Sequence, residues 1–174
     1  MTMNRLISLS LLLFLAANAA PASAGAVTVP FVNPENYSDA NLWGGYRPTV
    51  DRWTLDEIGR YFESLGTRYL GPQQVLRLDI LNIDLAGKFE WWRRNAYDLR
   101  ILRDVYPPRF TLHYTLFEDG QKLTERQETV VDPNYLANPG IYFHTTDPLR
   151  FEKAMLADWF RARFAASATT ASFR

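Results

Sequence analysis

The chain has 174 residues, with 19 Lys and Arg against 19 Asp and Glu, and no cysteine. Without cysteine there is no thiol nucleophile, no disulfide staple, no thiolate-bound zinc or iron–sulfur centre and no lipid attached through sulfur. The even charge balance lacks the basic stripe of a nucleic-acid binder, so no nucleic-acid partner is expected.

Met1 to Ala24 has the pattern of a secretory leader. Arg5 precedes the apolar run Leu6–Ala17, and Ala22-Ser23-Ala24 supplies an A-x-A cleavage site. The run is shorter than the ~20 apolar residues that cross a bilayer, so no transmembrane segment is expected after cleavage. No arginine pair precedes it, which favours the general secretory route with cleavage after Ala24 and a periplasmic or secreted product.

From Ala26 to Val32, apolar residues alternate as in a strand, and Pro30 assigns it to a sheet edge. Residues 33–53 are rich in turn formers and read as a long irregular connection. Thr54-Leu55-Asp56-Glu57 has the form of a capping box opening a helix to about Leu70, with Leu55, Ile58, Phe62, Leu65 and Tyr69 on one stripe. Gly71-Pro72 ends it.

Residues 75–85 form a second strand with a change of parity. Leu76, Leu78 and Ile80 are even, whereas Leu81, Ile83 and Leu85 are odd, which predicts a β-bulge at Ile80-Leu81. Asn82 and Asp84 then face outward. Asp84 is expected to be partly shielded and bonded to loop N–H groups or to an arginine, with Arg100 and Arg103 the candidates.

A third strand is expected over Tyr97–Val105 and a fourth over Phe110–Glu118. The latter alternates Phe110, Leu112, Tyr114 and Leu116 with polar residues. Tyr106-Pro107-Pro108 between them reads as a stiff hairpin tip. Asp119-Gly120 predicts a two-residue hairpin pairing Leu116 with Leu123 and Thr115 with Thr124. The polar fifth strand, Lys122–Val131, suits an exposed edge. Residues 132–140 read as a loop or a single turn. Asp147 caps a last helix with Pro148 at its first position, and Leu149, Met155, Leu156, Trp159, Phe160 and Phe164 form its apolar face. Residues 165–174 read as a disordered tail. The expected architecture is a single α+β domain over residues 25–164, in the order β-α-β-β-β-β-α, with a mostly antiparallel sheet and helices packed on one face.

His113 and His144 lack ligand spacing, so no metal and no cofactor is expected. His113 is placed on the outer face of its strand beside Arg126. No nucleophile elbow or phosphate loop occurs. Asp84 with Asp79, Asp98 or Asp104 could form the carboxylate pair of a glycan hydrolase. The alternation of Asp and Arg at 77–79, 98–100 and 103–104 instead suggests cross-strand ion pairs, and no catalytic residue is assigned. The more distinctive feature is Trp91-Trp92-Arg93-Arg94. Adjacent side chains diverge in a strand or a helix, so both indoles cannot enter one core pocket. With Tyr106 and Arg109, these four residues are the expected binding surface, for an envelope protein or a glycan.

Val27–Ala40, Leu78–Trp92, Asp104–Leu116, Asp132–Leu136 and Leu149–Phe160 together resemble the bacterial domain-of-unknown-function family 3016. The resemblance implies an exported one-domain protein with no established activity. The composite expectation is an exported, non-enzymatic binding or interaction protein of the envelope, with a glycan hydrolase as the alternative.

Overall fold

The structure, a computed structural model, describes residues 25–44, 50–92, 99–137 and 146–171. Its strands are β1 (Ala26–Thr28), β2 (Gln74–Asp84), β3 (Lys88–Phe89), β4 (Arg100–Ile101), β5 (Arg109–Glu118) and β6 (Gln121–Val131). Its helices are α1 (Arg52–Tyr69) and α2 (Arg150–Ala171), with 3-10 turns at Pro34–Asn36 and Tyr135–Ala137. The main sheet has the order β1-β2-β5-β6, in which only β1–β2 is parallel. The apolar stripes of α1 and α2 close over it: Ile58, Phe62, Leu65, Leu156, Phe160 and Phe164 are buried with Leu76, Leu78, Phe110 and Leu112. This is the α+β architecture the alternating and 3.6-residue periods imply.

The third expected strand differs. Of its described residues only Arg100–Ile101 form a strand, which pairs with β3 in a separate two-stranded sheet. A two-residue strand has no readable period, so β3 leaves no signal in the sequence. Tyr97 and Asp98 lie outside the described residues. Tyr106-Pro107-Pro108 is not a hairpin tip: β4 and β5 do not pair, and this segment carries the chain from the small sheet to the large one.

The bulge in β2 is present, with the register against β5 shifting between Ile80 and Asn82. Leu81 is the extra residue and is half-buried instead of core, while Ile80 and Ile83 are fully enclosed. The edge chain serves this kink. Ile80 N–H donates to the Pro30 carbonyl at 2.8 Å, and the Ile80 carbonyl accepts from Val32 N–H and from the Tyr37 hydroxyl at 2.6 Å. Burial pushes the Tyr37 hydroxyl up to about 12. Part of the long connection continues the edge: Asp39 N–H donates to the Ile83 carbonyl, and Leu85 N–H to the Asp39 carbonyl.

At the hairpin, Asp119 and Gly120 both have positive φ, as a primed turn requires. Glu118 faces Gln121 and Phe117 faces Lys122, but Leu116 pairs with Thr124 and Thr115 with Glu125. Leu123 is bulged out, so the expected pairing is wrong by one residue from there on. The slip also moves Arg126: it lies opposite Tyr114, while His113 faces Gln127.

Helix α1 begins earlier than expected. Asp51, not Thr54, is the N-cap: its carboxylate accepts the Thr54 N–H at 2.9 Å and the Thr54 hydroxyl. Glu57 does not reach back but bonds Arg60 and Lys153. Ahead of α2, Asp147 Oδ1 accepts the Leu149 N–H at 2.8 Å as expected of a cap, but the helix itself begins at Arg150 and not at Pro148. The helix runs on to Ala171, into the segment expected to be a tail. Four alanines between 165 and 171 carry the highest helix propensity, which the lack of an apolar stripe concealed.

Candidate functional site

The carboxyl end of β2 gathers the residues of interest. After Leu85 the chain turns at Gly87, whose φ of 76° favours glycine and whose missing Cβ would meet the Ile101 carbonyl oxygen at 2.7 Å. The β3–β4 pair follows, and two carboxylates anchor it, one half-buried and one buried. Asp39 takes a bidentate pair from Arg100, at 3.0 and 2.9 Å. Glu90 takes another from Arg103, at 2.6 and 3.0 Å. Neither arginine bonds Asp84, contrary to expectation. Its partner is Lys88, four residues on, because the outward turn of Asp84 meets the start of β3. Asp84 therefore contributes to this turn, but Asp39 and Glu90 organise it.

Beyond buried Glu90 the chain turns sharply, and Trp91 and Trp92 project together. They are 78% and 58% exposed, with ring centroids 5.7 Å apart in an edge-to-face pair. A second exposed pair, Trp43 at 59% and Trp53 at 41%, has centroids 6.0 Å apart. The two pairs belong to adjoining segments, since Gly44 packs against the Phe89 ring so closely that a Cβ would overlap it at 2.3 Å. Arg93 and Arg94 lie outside the described residues. Tyr106 is half-buried, and its carbonyl accepts the Gly87 N–H at 2.9 Å, which makes it a brace for the turn. Arg109 is exposed at the start of β5, opposite Asp84 in the ladder.

Beside Trp43 lies a cleft of about 200 Å³, lined by Ala86, Arg100, Leu102, Pro148, Arg150, Phe151 and Glu152 among others. Glu152 is 1% exposed. Its Oε1 accepts the Ala86 N–H at 2.7 Å, while Oε2 is buried with no hydrogen-bond partner among the described residues. Burial raises the Glu152 carboxyl above the ordinary value of 4.5, and the Ala86 N–H, Arg100 and Arg150 only partly offset this. Glu152 was not among the expected site residues, although a signal existed. It interrupts the apolar stripe Leu149, Leu156, Trp159 at helical spacing, where a carboxylate has no reason to sit unless it meets a partner.

Asp98 lies outside the described residues, and the other candidate aspartates do not assemble. Asp79 is held by Arg77 in the same strand at 2.7 Å, so this pair is along the strand and not across it. That contact holds the Asp79 carboxyl below its usual range. Five residues at ~3.3 Å each separate Asp79 from Asp84 by roughly 16 Å, beyond the reach of two glycosidase carboxylates. Asp104 is exposed in a turn after β4, and Arg103 bonds Glu90 instead of pairing with it. His113 is on the outer face as expected, but its neighbours are Glu125 at 3.1 Å and Asp79 at 3.5 Å, because the bulge at Leu123 displaces Arg126. Among the described residues no cluster of His, Asp and Glu could hold a metal ion, and no helix is long and apolar enough to cross a membrane.

No curated protein and no solved structure matches the chain. The family model described as a protein of unknown function, DUF3016, matches residues 25–162, nearly the whole of the described fold. The strands, the bulge, the β3–β4 turn and the first turns of α2 all fall within that match, and the chain belongs to the DUF3016 family.

Proposed function

We propose that the chain is an exported, non-enzymatic binding protein of the cell envelope that engages an envelope glycan or protein through the end of the molecule carrying the two tryptophan pairs. The observation that carries this is the exposure of Trp91 and Trp92 on a turn whose base is held by two bidentate, partly buried ion pairs. Exposed indoles on a rigid base suit stacking against a sugar face or anchoring in a protein pocket, because little ordering entropy remains to be lost. The leader-like segment before Gly25 supports export. The hydrolase alternative has no comparable support, since Asp79 and Asp84 are each ion-paired and far apart along one strand.

Titration of intrinsic tryptophan fluorescence with peptidoglycan fragments, lipopolysaccharide and solubilised envelope proteins tests this function. Saturable quenching or a blue shift is expected with one of them, and is lost in a Trp91→Ala, Trp92→Ala double variant. A flat response to all of them would refute it.

A further inference from the structure

We propose that the cleft beside Trp43 binds a carboxylate carried on a small apolar body, either a free organic acid or the C-terminal residue of a peptide. This rests on the binding role above and names a ligand for a site next to the tryptophans.

The cleft is built and not incidental. Arg100 is immobilised: Nη1 donates to Asp39, to the Ala86 carbonyl and to the Gly87 carbonyl, and Nη2 to Asp39 and the Asn41 carbonyl. Its guanidinium lies 4.7 Å from the Phe89 ring centre. Nε–H is its remaining donor, and it is buried without a partner among the described residues. Glu152 Oε2 is the second buried polar atom left over in the lining. Leaving two such groups unpaired costs free energy, which a ligand recovers by bonding them.

The charge of the lining selects the ligand's sign. Arg100, Arg150 and Glu152 are the charged residues of its described lining, and Asp39 balances Arg100, so the cleft is net positive when Glu152 holds a proton. Buried as it is, Glu152 favours its protonated form, and its O–H and the Arg100 Nε–H then present two donors to the two oxygens of a carboxylate. A cation would meet two guanidinium groups, and a neutral amide would forgo the charge. Trp43, Leu102, Pro148 and Phe151 supply apolar walls for the body of the ligand. The volume is below the ~300 Å³ of drug-sized sites and above the ~150 Å³ that accommodates benzene, which fits one apolar side chain.

Calorimetric titration of the full chain with phenylacetate and with N-acetylphenylalanine tests the proposal, with phenylacetamide and N-acetylphenylalanine amide as uncharged controls. At least one acid is expected to bind, at least about tenfold more tightly than its amide. Binding of phenylacetate alone identifies a free acid, and binding of N-acetylphenylalanine alone a peptide terminus. Arg150→Gln is expected to weaken the acid by at least about tenfold and Trp43→Ala to weaken acid and amide alike, with the fold checked by circular dichroism. Amides binding as tightly as acids, indifference to Arg150→Gln, or binding of neither acid would overturn the proposal. The Trp91→Ala, Trp92→Ala variant separates the two claims. Quenching by envelope material without any acid binding refutes the cleft ligand and leaves the envelope role standing. Acid binding with no response to envelope material does the reverse.

Discussion

Glu152 and Arg100 hold the two backbone polar groups of one residue, Ala86. Glu152 Oε1 accepts its N–H at 2.7 Å, and Arg100 Nη1 donates to its carbonyl at 3.2 Å. A carboxyl from the first turn of α2 and a guanidinium from β4 thereby fasten the chain where β2 gives way to the tryptophan-bearing turn.

The buried carboxyl makes stability depend on pH with an unusual sign. Because the folded state raises the Glu152 value above 4.5, it keeps a proton that the unfolded chain has released. Stability from this group is therefore complete below about 4.5 and declines as pH rises toward the folded value. The groups facing it are Arg100 of β4 and Arg150 of its own helix, and both moderate the rise without cancelling it. Glu152→Gln keeps the acceptor for Ala86 and removes the titration. Its melting temperature relative to the parent chain is expected to climb as pH rises above about 4.5, as followed by thermal denaturation.

Glu128 has the opposite sign. Burial works against its charge, but donors on Trp159, Arg163 and Tyr114 outweigh burial and hold its carboxyl below the usual range. It fastens the edge strand β6 to α2, and its contribution is present above the unfolded value and lost as pH falls through the folded one. Glu128→Ala is expected to destabilise by about 1–3 kcal/mol at neutral pH, with the difference shrinking in acid, as denaturant melts at two pH values would register.

The cap of α1 provides a third measurement. Asp51 accepts from Thr54 N–H and hydroxyl and from Leu42 N–H at 3.2 Å, so it joins the long connection to the helix. Asp51→Ala is expected to cost about 1–2 kcal/mol, and Glu57→Ala to leave the cap intact while breaking the Lys153 bridge. Amide exchange in the first turn of α1 distinguishes the two variants.

Gly66 shows packing overriding propensity. In mid-helix, alanine is ordinarily favoured over glycine by about 0.5–1 kcal/mol. Here a Cβ would sit 2.1 Å from Val27 Cγ2, where α1 crosses β1. Gly66→Ala is expected to destabilise by about 1–3 kcal/mol, and pairing it with Val27→Ala to restore part of the loss, as a double-mutant cycle would measure.

Removing the exposed indoles should leave the fold untouched. Trp91→Ala and Trp92→Ala are each expected to change stability by less than about 0.5 kcal/mol, since neither side chain fills the core. Acrylamide quenching of the parent chain is expected to reveal an accessible emitting population that both substitutions reduce.

Local rules reached as far as the backbone's own periods. The strand patterns, the α1 stripe, the Asp147 cap, the Asp119-Gly120 turn and the parity switch at Ile80-Leu81 were all legible, because each depends on neighbours within a few residues. Tertiary contact decided the rest. The bulge at Leu123 arises from fitting β6 to β5 and changes every pairing beyond it. Asp39 and Glu90 took the arginines assigned to Asp84, because a two-residue strand with no sequence signature placed Arg100 and Arg103 against other segments. Glu152 was visible as a charge on an apolar stripe. Its meeting with Ala86, 66 positions away, required the packed fold. Sequence by itself determined which elements form and which faces they bury. Which charges meet was decided only when those faces closed, since an ion pair depends on distance in space and not on spacing along the chain.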